Sequence, residues 1–337
     1  MNGSTRSALA LGSLLLAVAF AGRGIAQRAA TTYVVTANQQ GASVSIIDAG
    51  TRAIVRTLPT EVGPHEAIAS TDGRWVIVSN YGNQQVRGGS LLAIDGRTLE
   101  IADTISLGEY RRPHGMAFMP GDSLLAVTVE QDSAVLLVRI PSGEIAAALP
   151  TGQWVSHMLA VHPNGQRIYT ANITDATVSE IDVATGSLVR TAKVRPMSEA
   201  IGITPDGSEL WVGSNTEHTI TVLDTRDLTT IATLEAPGFP YRIAFTPDGT
   251  TAVVPQPEAN VVRLFDVATH TSVGSIPLAG EPVGVTISGD GDLAYVARNS
   301  ANSVAVLSLA DMSVVRTLPA GAAPDGIAVL EAHPVVN

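Results

Sequence analysis

No cysteine occurs among the 337 residues. That excludes structural disulfides, thiol catalysis, a lipobox anchor and a Cys-x-x-Cys-His haem attachment, so packing and closure alone must hold the fold. Aromatic residues are scarce, at three Trp, six Tyr and five Phe, and the places where they gather are therefore informative. Basic residues are outnumbered, and the formal net charge is −11. Loss of Arg6 and Arg23 with an N-terminal leader takes the mature chain to about −13. Such a surface disfavours nucleic acid, which needs several phosphate-neutralising cations. No Gly-x-Ser-x-Gly elbow, phosphate loop or His-Glu-x-x-His helix is present. Long apolar runs are missing after the first residues. The exception, Ala8 to Ala21 behind Arg6, is followed by small-residue patterns at Ala19-Phe20-Ala21 and Gly24-Ile25-Ala26. It reads as a secretory signal peptide over residues 1–26, removed after Ala26, because the run is short for the roughly 20 residues of a membrane span. The expectation is a periplasmic or secreted protein with no span in its mature form.

What the chain does have is repetition. Units of about 42 residues open at Tyr33, Trp75, Leu124, Ile168, Leu210, Ala252 and Leu293. Each carries a short apolar strand, as in Tyr33-Val34-Val35-Thr36-Ala37-Asn38, then a second that commonly ends in Asp, as in Thr219–Asp224. A third follows, and a fourth closes on a Gly turn such as Thr246-Pro247-Asp248-Gly249. Four strands at this period predict an all-β, seven-bladed β-propeller with antiparallel blades. Length alone allows two domains, but the repeat makes residues 27–337 one closed body. The N-terminal unit lacks its innermost strand. Pro324-Asp325-Gly326-Ile327-Ala328-Val329-Leu330 matches the inner strands elsewhere, so the C-terminal strand is expected to complete the first blade and remove two open edges. The Asn residues ending the first strand of the units (Asn38, Asn80, Asn172, Asn215, Asn299) and the Asp residues ending the next (Asp48, Asp95, Asp182, Asp224, Asp266) recur too regularly to form one site. They read as turn-capping side chains.

The endings Val35-Thr36-Ala37-Asn38 and Tyr169-Thr170-Ala171-Asn172, with Ser43–Asp48 and Thr204-Pro205-Asp206-Gly207, resemble the YVTN β-propeller repeat family, including YncE-like periplasmic proteins. The resemblance runs from Tyr33 to about Leu330. It implies the propeller and leaves activity open, since similar propellers serve as binding scaffolds, surface-layer modules and parts of redox enzymes. A related seven-bladed lactonase group hydrolyses or forms lactones. Two units depart from the pattern, with Glu130 and Pro257 in place of the strand-ending Asn, and the Asn80–Ser90 loop is longer than its counterparts.

The seven units point one residue each at the channel mouth: His65, His114, His157, Glu199, Tyr241, Val283 and Asp325. Three imidazoles from consecutive blades form a candidate site for a divalent metal ion, since three His with an open position is a recognised constellation. His162, His270 and His333 fall outside it. The same face gathers Tyr81, Arg112, Trp154, Arg195 and Arg242, a candidate ligand surface whose guanidinium groups suit a small anionic or carboxylated ligand. The first reading is an exported, monomeric binding module whose partner is such a ligand or a periplasmic or cell-surface protein. The alternative is a metal-assisted lactonase or lyase in which His114 and Glu199 act as acid–base groups and Tyr241 steadies an oxyanion.

Overall fold

The computed structural model describes Met1 and residues 31–332. The leader read at residues 1–26 and His333 lie outside the described residues, and none of the helices within them is long and apolar enough to cross a membrane. Seven four-stranded antiparallel sheets make up the body. Six run in chain order from an inner strand outward, the inner ones being Pro64–Ala69, Pro113–Phe118, Ser156–Val161, Ser198–Ile203, Ala244–Phe245 and Pro282–Ile287. The remaining sheet is composite. Pro324–Ala332 pairs antiparallel with Thr31–Asn38, placing Tyr33 opposite Leu330 and Val34 opposite Val329. The expected clasp between the two ends of the chain is therefore present.

The core is divided as the blades are. Seven apolar clusters each span one junction between neighbouring blades. Alternation along the strands produces this, because successive side chains leave a strand on opposite faces. Val34 and Ile47 pack on the last blade with Tyr295 and Val304, whereas Val35 and Ile46 pack on the next with Val76 and Val78. The recurring Asp residues do cap turns: Asp48 accepts the Gly50 and Thr51 N–H groups at 2.8 Å each, and Asp95, Asp224 and Asp266 do the same in their blades.

The entry to every inner strand is distorted in one way. Gly63, Arg112, Val155, Met197, Phe239, Glu281 and Ala323 all adopt left-handed φ values between 52° and 67°. Each is followed by Pro or Ser, which opens the inner strand in every blade but the sixth. Ladder register then slips within the next few residues, as between Pro64 and Ala67 and between Ser156 and Leu159. Such irregularities re-aim side chains, and here they turn consecutive residues toward the axis. In the sixth blade Pro255, within the neighbouring strand, has no N–H to give the ladder, and the inner strand is shortened to Ala244–Phe245, leaving Tyr241 and Arg242 on irregular backbone. A β-branched residue at positive φ is unfavourable by roughly 1–2 kcal/mol. Val155→Gly is therefore expected to leave the thermal midpoint unchanged or to raise stability by up to about 1 kcal/mol. A clear loss on melting would show that Val155 is not held against its preference.

Candidate functional site

The distorted entries bring together, at one end of the channel, the residues that follow each entry's Pro or Ser. The His65 and His114 rings are 4.3 Å apart between centroids, and those of His114 and His157 3.7 Å. Tyr81 stands edge-on to both His65 and His114, at 5.2 and 5.1 Å. Carboxylates surround this stack. His157 Nδ1 bonds to Glu130 Oε1, and its Nε2 lies 3.1 Å from Glu199 Oε1. His65 Nδ1 lies 3.3 Å from Asp325 Oδ2 and 3.6 Å from Glu66 Oε1. Asp325 arrives on the clasp strand, so closure of the ring supplies part of the cluster. Arg242 ties the far side, bonding to Glu66 through Nη2 and approaching Glu199 through Nη1 at 3.3 Å. Tyr241 Oη donates to Asp325 at 3.1 Å, Tyr81 Oη to Glu130 at 2.6 Å and Asn215 Nδ2 to Glu199 at 2.6 Å.

His114 sits at the centre of this arrangement. It is 0% exposed, and among the described residues neither of its ring nitrogens has a hydrogen-bond partner. Ligand atoms of His65, Glu66 and His114 lie within 4.8 Å of one another, as do those of His114, Glu130 and His157. The cluster can thus hold a metal ion, with His114 common to both groupings.

Charge is apportioned unevenly. Burial opposes an imidazolium at His157, but Glu199 and Glu130 outweigh it and raise its pKa to about 9. Burial likewise opposes the carboxylates, yet Arg242 and His65 hold Glu66 at about 2, and His157, Arg242 and Asn215 hold Glu199 at about 2. His65 is raised by Asp325 and Glu66 against its burial. His114 is pushed well below the ordinary histidine range, first by burial and then by His157 and His65. It is therefore a neutral ring with free lone-pair capacity, set between two rings whose carboxylate neighbours favour the charged form. In the metal-free protein the His157 contribution is fully present below the unfolded histidine pKa of about 6.5 and is lost as pH rises toward 9. Melting in chelator between pH 6.5 and 9.5 should show a falling midpoint, and His157→Gln should flatten that limb. Parallel curves for the two proteins would contradict the assignment.

The sequence model of the YNCE-like beta-propeller family matches residues 17–335. The chain belongs to that family. It is also similar to the "uncharacterized protein YwhL" of Bacillus subtilis (strain 168), at 27% identity over 160 residues, covering 48% of this chain and 32% of that one. The match thus spans about a third of that relative's length. Among solved structures, a chain of Kuenenia stuttgartiensis hydrazine synthase superposes with a TM-score of 0.73 at 18% identity, covering 87% of this chain and 99% of that one. A functionally unknown protein from Desulfotomaculum acetoxidans DSM 771 gives 0.76 at 16% identity, covering 90% and 99%. At such identities these likenesses establish the shared fold alone.

Within this YncE-like propeller, six of the seven residues expected at the mouth, His65, His114, His157, Glu199, Tyr241 and Asp325, lie in one network, and the seventh, Val283, lines a cleft beside it. Arg242, expected on the rim, is buried below it and already paired. Arg112 stacks on the Tyr81 ring at 4.7 Å and donates to the Asn83 carbonyl. Trp154 and Arg195 are exposed on the same face. The long Asn80–Ser90 loop is in fact an extended hairpin, Trp75–Gly82 with Arg87–Asp95, that carries Tyr81 over the histidines. His162 and His270 lie away from the cluster, as expected; His270 bonds to Glu209 instead.

Glu66 was missed by the sequence reading, as were Tyr81 and Glu130 as partners of the histidines, and Asn215. The last three occupy one position, the residue after the strand position that Asn38 marks. Asn38, Asn80 and Asn172 hold one ladder position, opposite Ser43, Ser90 and Thr177, where Ser214 and Arg298 stand in other blades. Asn215 and Asn299 are therefore one residue further on and are not equivalents of Asn38. Asn38 and Asn172 bond to Ser and Thr of the next strand, whereas Asn215 bonds to Glu199. Glu130 and Pro257 do not replace that Asn either: Val129 and Gln256 hold its position, and Glu130 and Pro257 stand one residue beyond.

Below the cluster lies an axial cavity of about 350 Å³, lined by Met116, Met158, Ile201, Ile243 and Ile327 and sharing Glu66 and Arg242 with it. Two clefts flank the cluster on the mouth face, one of about 420 Å³ beside Phe239, Tyr241 and Asp325, the other of about 550 Å³ beside Tyr81 and Arg112.

Proposed function

We propose that this protein is an exported binding propeller whose ligand is a transition-metal ion held by His65, His114 and His157 at the closed end of the channel. One observation carries the reading. A wholly buried imidazole with no partner on either nitrogen is unfavourable by about 1–3 kcal/mol per orphaned group, and a metal ion is the ligand that this ring, set between two others, is equipped to satisfy. The surroundings support it. The carboxylate that faces His65 Nδ1 is what orients a metal-binding histidine and raises its basicity, and His157, whose Nε2 faces Glu199, joins by giving up that contact and its proton.

The polar surface around the cluster, with Tyr81, Arg112, Trp154 and Arg195, fits a partner or anionic ligand that meets the loaded protein. Holding is favoured over turnover. A lactonase or lyase needs substrate beside His114, Glu199 and Tyr241, but none of the three histidines is more than 9% exposed, and Glu199 and Tyr241 are already bonded to Asn215 and Asp325.

Elemental analysis of mature protein after dialysis tests the reading. About one equivalent of a transition metal is expected, and less than about a tenth of an equivalent would contradict tight binding. Osmotic-shock and culture fractions tested with an antibody should contain the leader-less chain; retention of the full-length chain in the cytoplasm would contradict export.

A further inference from the structure

The axial cavity of about 350 Å³ has no part in the metal reading. Every blade supplies an apolar residue to its wall, and in five blades this is Ile68, Ile201, Ile243, Val285 or Ile327. Gly284 lines it too and admits nothing larger, since a Cβ there would lie 2.0 Å from the Asp325 carbonyl oxygen. The polar side chains of the lining are Glu66, Arg242 and Thr286. Glu66 in the second blade and Arg242 in the sixth reach across the channel and bond to each other, so this pair closes the cavity at the cluster end. Glu66 meets Arg242 and His65 through Oε1, and among the described residues its Oε2 has no hydrogen-bond partner. The wall residues next to the pair, Ile201, Ile243 and Ile327, are buried, whereas Ile68, Ala69, Thr286 and Val329 further along are half-buried. The cavity is thus a well that widens away from the mouth.

We propose that this well binds a small neutral alcohol, its apolar body against the aliphatic wall and its hydroxyl donating to the Glu66 carboxylate. An apolar pocket with a few convergent polar groups is the usual form of a small-molecule site. The ligand is neutral because the Glu66 charge is already matched by Arg242, and a further ion would lose its hydration against Ile and Val side chains. It carries a donor because the group left free is a carboxylate oxygen, which only accepts. A hydrocarbon of the same shape would cover that oxygen and leave it unpaired, at a cost in affinity. This site is separate from the metal cluster and stands or falls without it.

The test is calorimetric titration of the full mature chain, in chelator, with benzyl alcohol, toluene, benzoate and benzylammonium. Crystals soaked in 4-bromobenzyl alcohol accompany it, the bromine being located by its anomalous scattering. Benzyl alcohol is expected to bind saturably, at least about tenfold tighter than either ion. The bromine is expected on the propeller axis, with the hydroxyl at hydrogen-bond distance from Glu66. Val285→Phe and Ala69→Leu add volume at the half-buried part of the wall and should weaken binding at least about tenfold by occupying the well. Thermal melting shows whether each variant folds, and the wild-type map decides alone if neither does. No saturable binding by about 10 mM alcohol, bromine only outside the channel, or unchanged affinity in both folded variants overturns the site. Toluene or either ion binding as tightly as the alcohol overturns the ligand class.

Discussion

Deletion of residues 324–337 is expected to abolish a cooperative native melt, giving aggregation or a midpoint at least 10 °C lower (roughly, from the burial below). The strand Pro324–Ala332 is the inner strand of the first blade. It also serves two of the seven apolar clusters. Ile327 packs with Tyr295 and Val304 on one side, and Ala328 and Leu330 pack with Val76 and Val78 on the other. All three are at most 6% exposed. Burying Ile327 and Leu330 contributes about 2 kcal/mol each, and the ladder and half-buried Val329 add to it. The loss approaches the whole stability of an ordinary domain, about 5–15 kcal/mol. It also strips the edge of Thr31–Asn38, which becomes open to pairing with other chains. Asp325→Asn keeps the strand and its apolar contacts, so it should lower the midpoint far less. A truncated chain that melts within about 2 °C of wild type would show that the ring does not depend on its clasp.

The second large effect concerns His114. In the metal-free protein this ring is a liability, because burial leaves both of its nitrogens unpartnered. Replacing it with an apolar residue of similar volume removes that penalty. His114→Leu is therefore expected to melt at or above the temperature of wild type in chelator. Metal should reverse the order. A ligand at a thousandfold excess over its Kd stabilises by about 4 kcal/mol, or roughly 6 °C for a domain of this size. Wild type should gain that shift and His114→Leu should gain none. Stability traded for a site in this way is a recognised signature of functional residues. If His114→Leu were instead destabilised in chelator by several kcal/mol, the ring would be a packing element and the metal reading would lose its main support.

The ring, its seven blades, the clasp and the meeting of three histidines were legible in the sequence, because each follows from the period and from one conserved spacing within the unit. Asp325 could be placed beside His65 by closing the circle. What did not show was set by local backbone. Glu66 and Arg242 stand next to His65 and Tyr241, and regular strand alternation sends such neighbours to opposite faces. They reach the axis only because the left-handed residues at Gly63 and Phe239 and the irregular backbone behind them turn the chain. The outer tier at Tyr81, Glu130 and Asn215 was hidden by a one-residue slip in aligning Asn215 with Asn38. In a structure of period two, a slip of one changes the face a residue is assigned to.

The most direct measurement is an anomalous difference map from crystals of the mature chain grown with the metal, recorded at its absorption edge. The account predicts one dominant peak on the propeller axis, at bonding distance (about 2.0–2.1 Å for zinc) from nitrogens of His114 and at least one of His65 and His157. A map with no peak there, at an ion concentration that saturates other sites on the protein, would contradict it.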